Sequence, residues 1–301
     1  MSQQAMHTHT TVFSGSVGWC GLGAMGAAMA PRLLAVTDRL SGYDINKDAG
    51  QNLGLQRAEQ LAELATTDIV ITMLPDGRAV REVAETLLAA GFSGLLADMS
   101  SCHPQGSRAL AADLAASGCR FIDAPVSGGV AKAASGELMI MAGGAETDIE
   151  LARPLLARLG TVQPVGPVGA GHAMKALNNY VSAAGLLASF QALATAKGAG
   201  IAPETFVNVI NGSTGRNNTT EVKLEKFILN EAFNSGFALQ LMAKDVNIAC
   251  QLIEAAGHTV EATPALAACL DKAVASLGVC ADHTELYRYV TGDLAQEGSS
   301  E

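Results

Sequence analysis

The chain has 301 residues, enough for two domains each with its own core. Hydrophobic residues make up 49% and charged residues 16%, which is a globular rather than a disordered composition. The formal net charge of −10 argues against nucleic acid or an anionic membrane as the main partner, because phosphate binding needs a basic surface.

Met1 to Ser16 is polar, carries no signal-peptide apolar stretch and reads as a disordered extension. Val17–Cys20 is a short apolar strand ending in glycine, and Ala24–Ala35 reads as a helix. Leu40–Tyr43 is a strand ending at Asp44, and Ala58–Ala65 is helical in pattern. Asp68–Leu74 is continuous and β-branched, as a strand buried on both faces should be. Val80–Ala90 and Gly106–Ser117 read as helices; Leu95–Met99, Arg120–Asp123, Leu138–Ala142 and Val162–Val165 read as strands, with a helix over Thr147–Leu159. This alternation predicts a mostly parallel, doubly wound sheet with helices on both faces.

The second half changes character. From Gly171 almost every segment is helical in composition, beginning with an Ala/Leu-rich run over Ala173–Gly198. Helices are expected over Pro203–Asn211, Thr219–Leu229, Leu239–Ala256, Pro264–Leu277 and Thr284–Val290. The domain expectation is an extension over 1–16, a dinucleotide-binding domain over 17–168 and an all-helical domain over 169–297. The tail from Gly298 reads as disordered. No run of about twenty apolar residues exists, so no membrane span is expected. The cysteines Cys20, Cys102, Cys119, Cys250, Cys269 and Cys280 form no CxxC pair and no zinc spacing with histidine. They read as reduced thiols of a cytoplasmic protein, and no metal is expected.

Gly21-Leu22-Gly23-Ala24-Met25-Gly26 comes directly after the first strand and opens the first helix. In such a turn the first glycine permits the bend. The second lets a pyrophosphate approach the helix start, and the third lets helix and strand pack closely. Asp44, at the end of the second strand, stands where a carboxylate accepts ribose hydroxyls and repels a 2′-phosphate. NAD is therefore expected, with NADP possible because Lys47 lies nearby. Asp44 also reads as a turn residue, with Asn46 helping to cap the next helix. Leu74-Pro75 and Ser101 sit at strand C-termini, where ligands of such sheets bind; Pro75 and Asp76 equally suit a turn, and Ser101 a helix cap. In Asp123-Ala-Pro-Val-Ser127-Gly128-Gly129, a hydroxyl and exposed backbone N–H groups suit a carboxylate.

Lys175 and Asn179 are four apart and share a helix face. A lysine in an apolar stretch can have its pKa lowered by burial and serve as general acid and base. The simpler reading of that segment alone is a surface lysine covering apolar neighbours with its stem. His172 reads as a helix-start or loop histidine with no catalytic pairing. Lys244-Asp245, two charges in an apolar helix, need partners in either a site or the scaffold. Asn178, Arg216, Asn217 and Asn218 read as caps or as site residues.

With these residues in place, the chain resembles the β-hydroxyacid dehydrogenase family, which includes 3-hydroxyisobutyrate dehydrogenase and tartronate semialdehyde reductase. Four motifs occur in order: GLGAMGAAMA from Gly21, DAPVSGG from Asp123, GHAMKALNN from Gly171 and KDVNIA from Lys244. The resemblance implies a Rossmann-type domain followed by a helical domain like that of 6-phosphogluconate dehydrogenase. It implies that Lys175 is the catalytic lysine and Asn179 its partner, and that Ser127, Gly128 and Gly129 bind substrate. Gly21 to Gly26, Asp44, Leu74, Pro75, Ser101 and Lys244 would then contact the dinucleotide. The expected substrate is a small carboxylate-bearing hydroxy acid or its semialdehyde, and the expected assembly a homodimer or homotetramer. Val130, Lys132, Arg216, Asn217, Phe237 and Gln240 are candidates for lining the rest of the pocket. An imine reductase and a non-catalytic dinucleotide-binding module are the competing readings. Imine reductases usually lack the lysine, and a non-catalytic relative should lose the lysine or the substrate loop.

Overall fold

Val17–Cys20 (β1) is buried at every residue, as a strand covered on both faces must be. It belongs to a computed structural model that describes residues 13–293. The chain divides into two units, one ending at Lys175 and one starting at Ala176. The tail expected from Gly298 lies outside the described residues, as do residues 1–12 of the expected extension. Phe13 to Ser16 correct that expectation: Phe13 packs on the core and donates its N–H to the Val36 carbonyl at 3.0 Å. Ser16 donates N–H and Oγ–H to Asp68 Oδ2 at 2.7 and 2.8 Å.

In the first unit the strands after β1 are Leu40–Tyr43 (β2), Gln56–Arg57 (β3), Ile69–Thr72 (β4), Leu95–Asp98 (β5) and Arg120–Asp123 (β6). Val126–Ser127 (β7), Leu138–Gly143 (β8) and Gly160–Gly166 (β9) complete the sheet. The order is β3-β2-β1-β4-β5-β6-β8-β7, with β9 paired to β8. The first six strands are mutually parallel, and the chain reverses where β8 meets β6 and β7. The helices are Ala24–Met29 (α1), Gly77–Ala89 (α2), Pro104–Ala116 (α3), Gly129–Ser135 (α4) and Glu146–Leu156 (α5). Two apolar cores include residues of both sheet faces; Ile69 and Ile71 lie in one, Val70 in the other. This is the alternation of a doubly wound sheet.

Two expected helices differ. The α-helix over Ala24–Ala35 stops at Met29 and continues as a 3₁₀ helix over Ala30–Ala35, because Pro31 has no N–H for the α ladder. The Ala58–Ala65 segment is instead a 3₁₀ turn over Leu61–Thr66, its start fixed by Gln60 N–H donating to Glu63 Oε1 at 2.8 Å. The short elements β3, β7 and α4 are additional to the sequence reading.

Ala170–Gly198 (α6) is one helix of 29 residues. The second unit holds most of it, then Pro203–Asn211 (α7), a π-helix over Thr219–Ile228, Leu239–Ala255 (α8), Ala262–Leu277 (α9) and Leu286–Thr291 (α10). Its core centres on Phe190, edge-on to Tyr287 at 5.5 Å between ring centroids. Asn217 caps the π-helix, its Oδ1 accepting from Thr219 N at 2.8 Å. No helix of the described residues is long and apolar enough to cross a membrane.

His283 is buried in this unit beside Ser235, Asp282 and the ring of Phe237. Burial, reinforced by the Lys223 ammonium, pushes its pKa down to about 4, against the pull of Asp282. The unfolded chain therefore takes up this proton first as pH falls. The neutral ring contributes its full stability above the ordinary histidine value, and that contribution is lost between pH 6.5 and about 4. A shift of this size corresponds to roughly 3 kcal/mol. Denaturant unfolding followed from pH 7 to pH 4 should show this loss, and H283Q should flatten it. A wild-type stability that is level across that interval refutes the assignment.

Candidate active site

The glycine turn shows three different constraints at its three glycines. Gly21 has φ +99°, and a Cβ there would strike the Met73 carbonyl oxygen. A Cβ on Gly26 would fall on the Gly21 carbonyl oxygen and lie 3.1 Å from Trp19 Nε1. Gly23 meets nothing within 4 Å and starts α1. The middle position is thus an open cradle between two tight ones, which is the shape a pyrophosphate needs. Trp19, the only tryptophan, donates Nε1–H to the Gly21 carbonyl at 2.8 Å from beneath the turn.

This arrangement separates two substitutions. Gly23→Val should leave the fold intact and weaken dinucleotide binding at least about tenfold, because the added side chain occupies the cradle. Gly26→Ala should cost about 1–3 kcal/mol of stability, because backbone must move. NADH titration read through Trp19 fluorescence, beside thermal melts, distinguishes them. Equal binding by Gly23→Val and wild type would remove the cradle from cofactor recognition.

Asp44 lies just past β2 and ties the turn to it. Its Oδ2 accepts from Leu22 N at 2.6 Å and its Oδ1 from Asn46 N at 2.8 Å. The turn reading is therefore seen in this half-buried carboxylate. Arg57 lies near but is engaged with the carbonyls of Ala49, Asp44 and Asn46 at 2.7, 3.1 and 3.2 Å. At the ends of β4 and β5, Leu74 N donates to Ser100 Oγ at 2.9 Å, joining the loop of Leu74-Pro75 to the loop of Ser101. Asp76 caps α2 through Arg78 N and Ala79 N.

Beneath these loops lies a buried polar network that the sequence reading missed. Asp123, at the end of β6, accepts from Gly169 N at 2.7 Å and from His172 N at 2.8 Å. Burial pushes its carboxyl above the usual range, opposed by the His172 ring and these two N–H groups. His172 does stand in the first turn of α6, as a helix-start histidine, but it is paired on both sides of its ring. Its ring is fully buried, with Nδ1 2.7 Å from Ser107 Oγ and Nε2 3.2 Å from the Ser100 carbonyl. Asp98 and Asp123 lie 3.6 and 3.7 Å from the two ring nitrogens. These partners are all far from His172 along the chain, so spacing carried no signal for them.

The same Asp123 opens the segment carrying Ser127, Gly128 and Gly129. Ser127 ends β7, paired to Met139 of β8. Gly128 and Gly129 have φ +144° and +68°, and a Cβ on Gly129 would meet nothing within 4 Å. Lys175 lies on α6 one turn after His172 and is half-buried.

In the second unit, buried Asp245 of α8 accepts from Asn179 Nδ2 at 2.6 Å, and Asn178 Nδ2 donates to Asn179 Oδ1 at 3.1 Å. Lys244 Nζ is 3.8 Å from Asp245 Oδ1. The partners sought for Lys244-Asp245 therefore include Asn179. Asn217 acts as a cap, and Arg216 pairs with Glu221 at 3.5 Å.

Comparison with known proteins matches residues 16–169 to the NAD binding domain of 6-phosphogluconate dehydrogenase. Residues 169–290 match the NAD-binding region of NADP-dependent 3-hydroxyisobutyrate dehydrogenase. The chain is 35% identical over 244 residues to 2-(hydroxymethyl)glutarate dehydrogenase of Eubacterium barkeri, covering 78% of this chain and 81% of that one. The chain belongs to the β-hydroxyacid dehydrogenase family.

Membership makes it an NAD(P)-dependent dehydrogenase with a Rossmann-type domain followed by a helical one. The mitochondrial 3-hydroxyisobutyrate dehydrogenase of Drosophila melanogaster is 32% identical over 258 residues, covering 81% of this chain and 80% of its own. Among solved structures, 3-hydroxyisobutyrate dehydrogenase of Mycobacterium tuberculosis with L-serine superposes with a TM-score of 0.84 at 30% identity, covering 92% of this chain and 99% of that one. The family resemblance read from four collinear motifs holds.

Proposed function

We propose that this enzyme oxidises a primary alcohol β to a carboxylate, HOCH₂–CHR–COO⁻, to the semialdehyde, and runs the reverse reduction. The observation that carries the reading is Asp123. One buried carboxylate joins the strand leading to Ser127–Gly129 with the helix turn that precedes Lys175. Loop and lysine are thereby fixed to a common point. The compounds for which the relatives are named, or with which they were solved, agree: 3-hydroxyisobutyrate, 2-(hydroxymethyl)glutarate and L-serine all contain HOCH₂–CHR–COO⁻ and differ in R.

Each residue then has a role. Ser127 Oγ and the N–H groups at Gly128 and Gly129 hold the carboxylate. Neutral Lys175 takes the hydroxyl proton as the carbonyl forms, and its ammonium returns that proton in reduction. Asn179, oriented by Asp245, directs the substrate oxygens. The bound nicotinamide supplies the hydride chemistry. Gly21 to Gly26, Asp44, Leu74, Pro75, Ser101 and Lys244 would hold the dinucleotide. The Asp44 carboxylate favours NAD over NADP, since it would repel a 2′-phosphate. The domains we infer are 17–168 for dinucleotide and 169–297 for substrate and self-association. Leu177, Val181 and Val209 are exposed apolar residues suited to a second copy in a homodimer or homotetramer. A cytoplasmic site of action suits the six thiols.

The test is a turnover panel of 3-hydroxyisobutyrate, L-serine, glycerate, threonate and 4-hydroxybutyrate with both dinucleotides. The expected result is turnover of one or more of the HOCH₂–CHR–COO⁻ acids with NAD preferred at least about tenfold. Turnover of 4-hydroxybutyrate alone would overturn the β-position. Reduction of cyclic imines in place of semialdehydes would favour the imine reductase reading.

A further inference from the structure

Asp98, Cys102 and His172 are all buried, and one donor atom from each lies within 4.8 Å of the others. They come from the end of β5, the loop after it and the first turn of α6, all within the first unit. The dehydrogenase chemistry proposed above uses none of the three.

Three observations point to a cation at their centre. The first is the orientation of the imidazole. Ser107 Oγ lies 2.7 Å from His172 Nδ1 and can accept from an Nδ1–H while its own hydroxyl reaches the His103 carbonyl at 3.3 Å. In the tautomer that carries this proton, Nε2 presents its lone pair toward the Ser100 carbonyl at 3.2 Å and Asp98 Oδ2 at 3.6 Å. Nε2, the Ser100 carbonyl and Asp98 Oδ2 thus converge on one point that a positive centre, either an Nε2 proton or a metal ion, must occupy.

The second is spacing. Zinc bonds of about 2.0 Å to nitrogen and oxygen and about 2.3 Å to sulfur give tetrahedral edges of roughly 3.3–3.6 Å. Cys102 Sγ lies 3.3 Å from Asp98 Oδ2, and Nε2 lies 3.6 Å from that oxygen. The latter separation is too long for a hydrogen bond but suits two ligands of one ion.

The third is the surrounding shell. Thr72 Oγ1 donates to Asp98 Oδ1 at 2.9 Å and Ser107 holds Nδ1, each fixing the half of a ligand that faces away from the centre. Charge agrees as well. Asp98 and Asp123 are both buried carboxylates, and they share a single imidazole, His172, within ion-pair reach of each.

We propose that Asp98 Oδ2, Cys102 Sγ, His172 Nε2 and the Ser100 carbonyl oxygen form a closed structural site for a zinc-class divalent cation. Binding forms four metal–donor bonds, displaces the ion's waters and releases the Cys102 thiol proton to solvent. The carboxylate and thiolate together neutralise the ion. The site clips the start of α6 to the end of β5, one helical turn before Lys175. Carboxylate, thiolate and imidazole favour zinc over magnesium or calcium.

The test uses the full chain, purified without a metal-affinity tag. Zinc content is measured directly, and cobalt(II) is titrated in as a spectroscopic probe. Expected are one ion per chain, a thiolate-to-cobalt charge-transfer band and the intense visible bands of tetrahedral cobalt. C102S should abolish the charge-transfer band, S107A should weaken binding roughly tenfold, and C280S, an exposed thiol, should change neither. Folded wild-type chain that takes up no stoichiometric zinc or cobalt overturns the proposal and leaves the cluster a proton-bridged network. So does a charge-transfer band that survives C102S. Should C102S fail to fold, the wild-type titration still decides, together with a melting temperature that falls on chelation and recovers with zinc alone.

Discussion

Lys175→Ala is expected to lower kcat roughly 10³-fold while NADH still binds with nearly its wild-type affinity. The side chain is half-buried on the first turns of α6, whereas the glycine turn lies between β1 and α1. Loss of the amine removes the group we propose as acceptor of the hydroxyl proton and leaves the cofactor cradle untouched. Lys175→Arg sharpens the test. Arginine keeps the positive charge but cannot give up its proton at working pH, so a charge-only role would survive and a proton-transfer role would not. Both variants should be slowed to a comparable extent, and small primary amines added to Lys175→Ala should restore part of the rate. Turnover of Lys175→Arg near the wild-type level would reduce the lysine to an electrostatic anchor. Turnover of Lys175→Ala near that level would remove it from the reaction.

What the sequence made legible were features carried by neighbouring residues. The three glycines have distinct local tasks, and the structure shows a positive φ, an open cradle and a backbone contact at Gly21, Gly23 and Gly26 respectively. The continuous apolar strands announced burial on both faces, and the long Ala/Leu run announced α6. Elements too short to show a period escaped: Gln56–Arg57 and Val126–Ser127 are two-residue strands defined by their partners. Gly129–Ser135 is a helix begun by glycines that read as loop. The buried network escaped for a different reason. His172 meets Ser107, Asp98 and Asp123 only after β5, β6 and α6 have come together, and no local pattern encodes that meeting. Asn179 was legible as a face-mate of Lys175, but its bond to Asp245 was not.

Asp123→Ala should combine a large loss of stability with a large loss of turnover. Its carboxylate accepts from two buried backbone donors, Gly169 N and His172 N. Each buried N–H left without an acceptor costs about 1–3 kcal/mol, so the pair amounts to roughly 2–6 kcal/mol. The packing around it leaves no room for compensation by shifting. A Cβ on Gly143 would come 2.7 Å from Asp123 Oδ1, and one on Gly171 would strike the Met141 carbonyl and lie 2.6 Å from the Asp123 carbonyl. The first turn of α6 is thus pressed against β6 and β8 with this carboxylate as its peg. Without the peg the turn that leads to Lys175 loosens, and a displacement of about 1 Å can cost on the order of 10²-fold in rate. Asp123→Asn keeps one acceptor oxygen but turns an N–H toward an N–H, so it should fall between alanine and wild type. Gly171→Ala should reproduce the kinetic defect from the opposite side, with kcat reduced and NADH affinity retained. If Asp123→Ala folds and turns over at the wild-type rate, the shared peg cannot be what sets lysine and substrate loop in register. The placement of Lys175 would then need another cause.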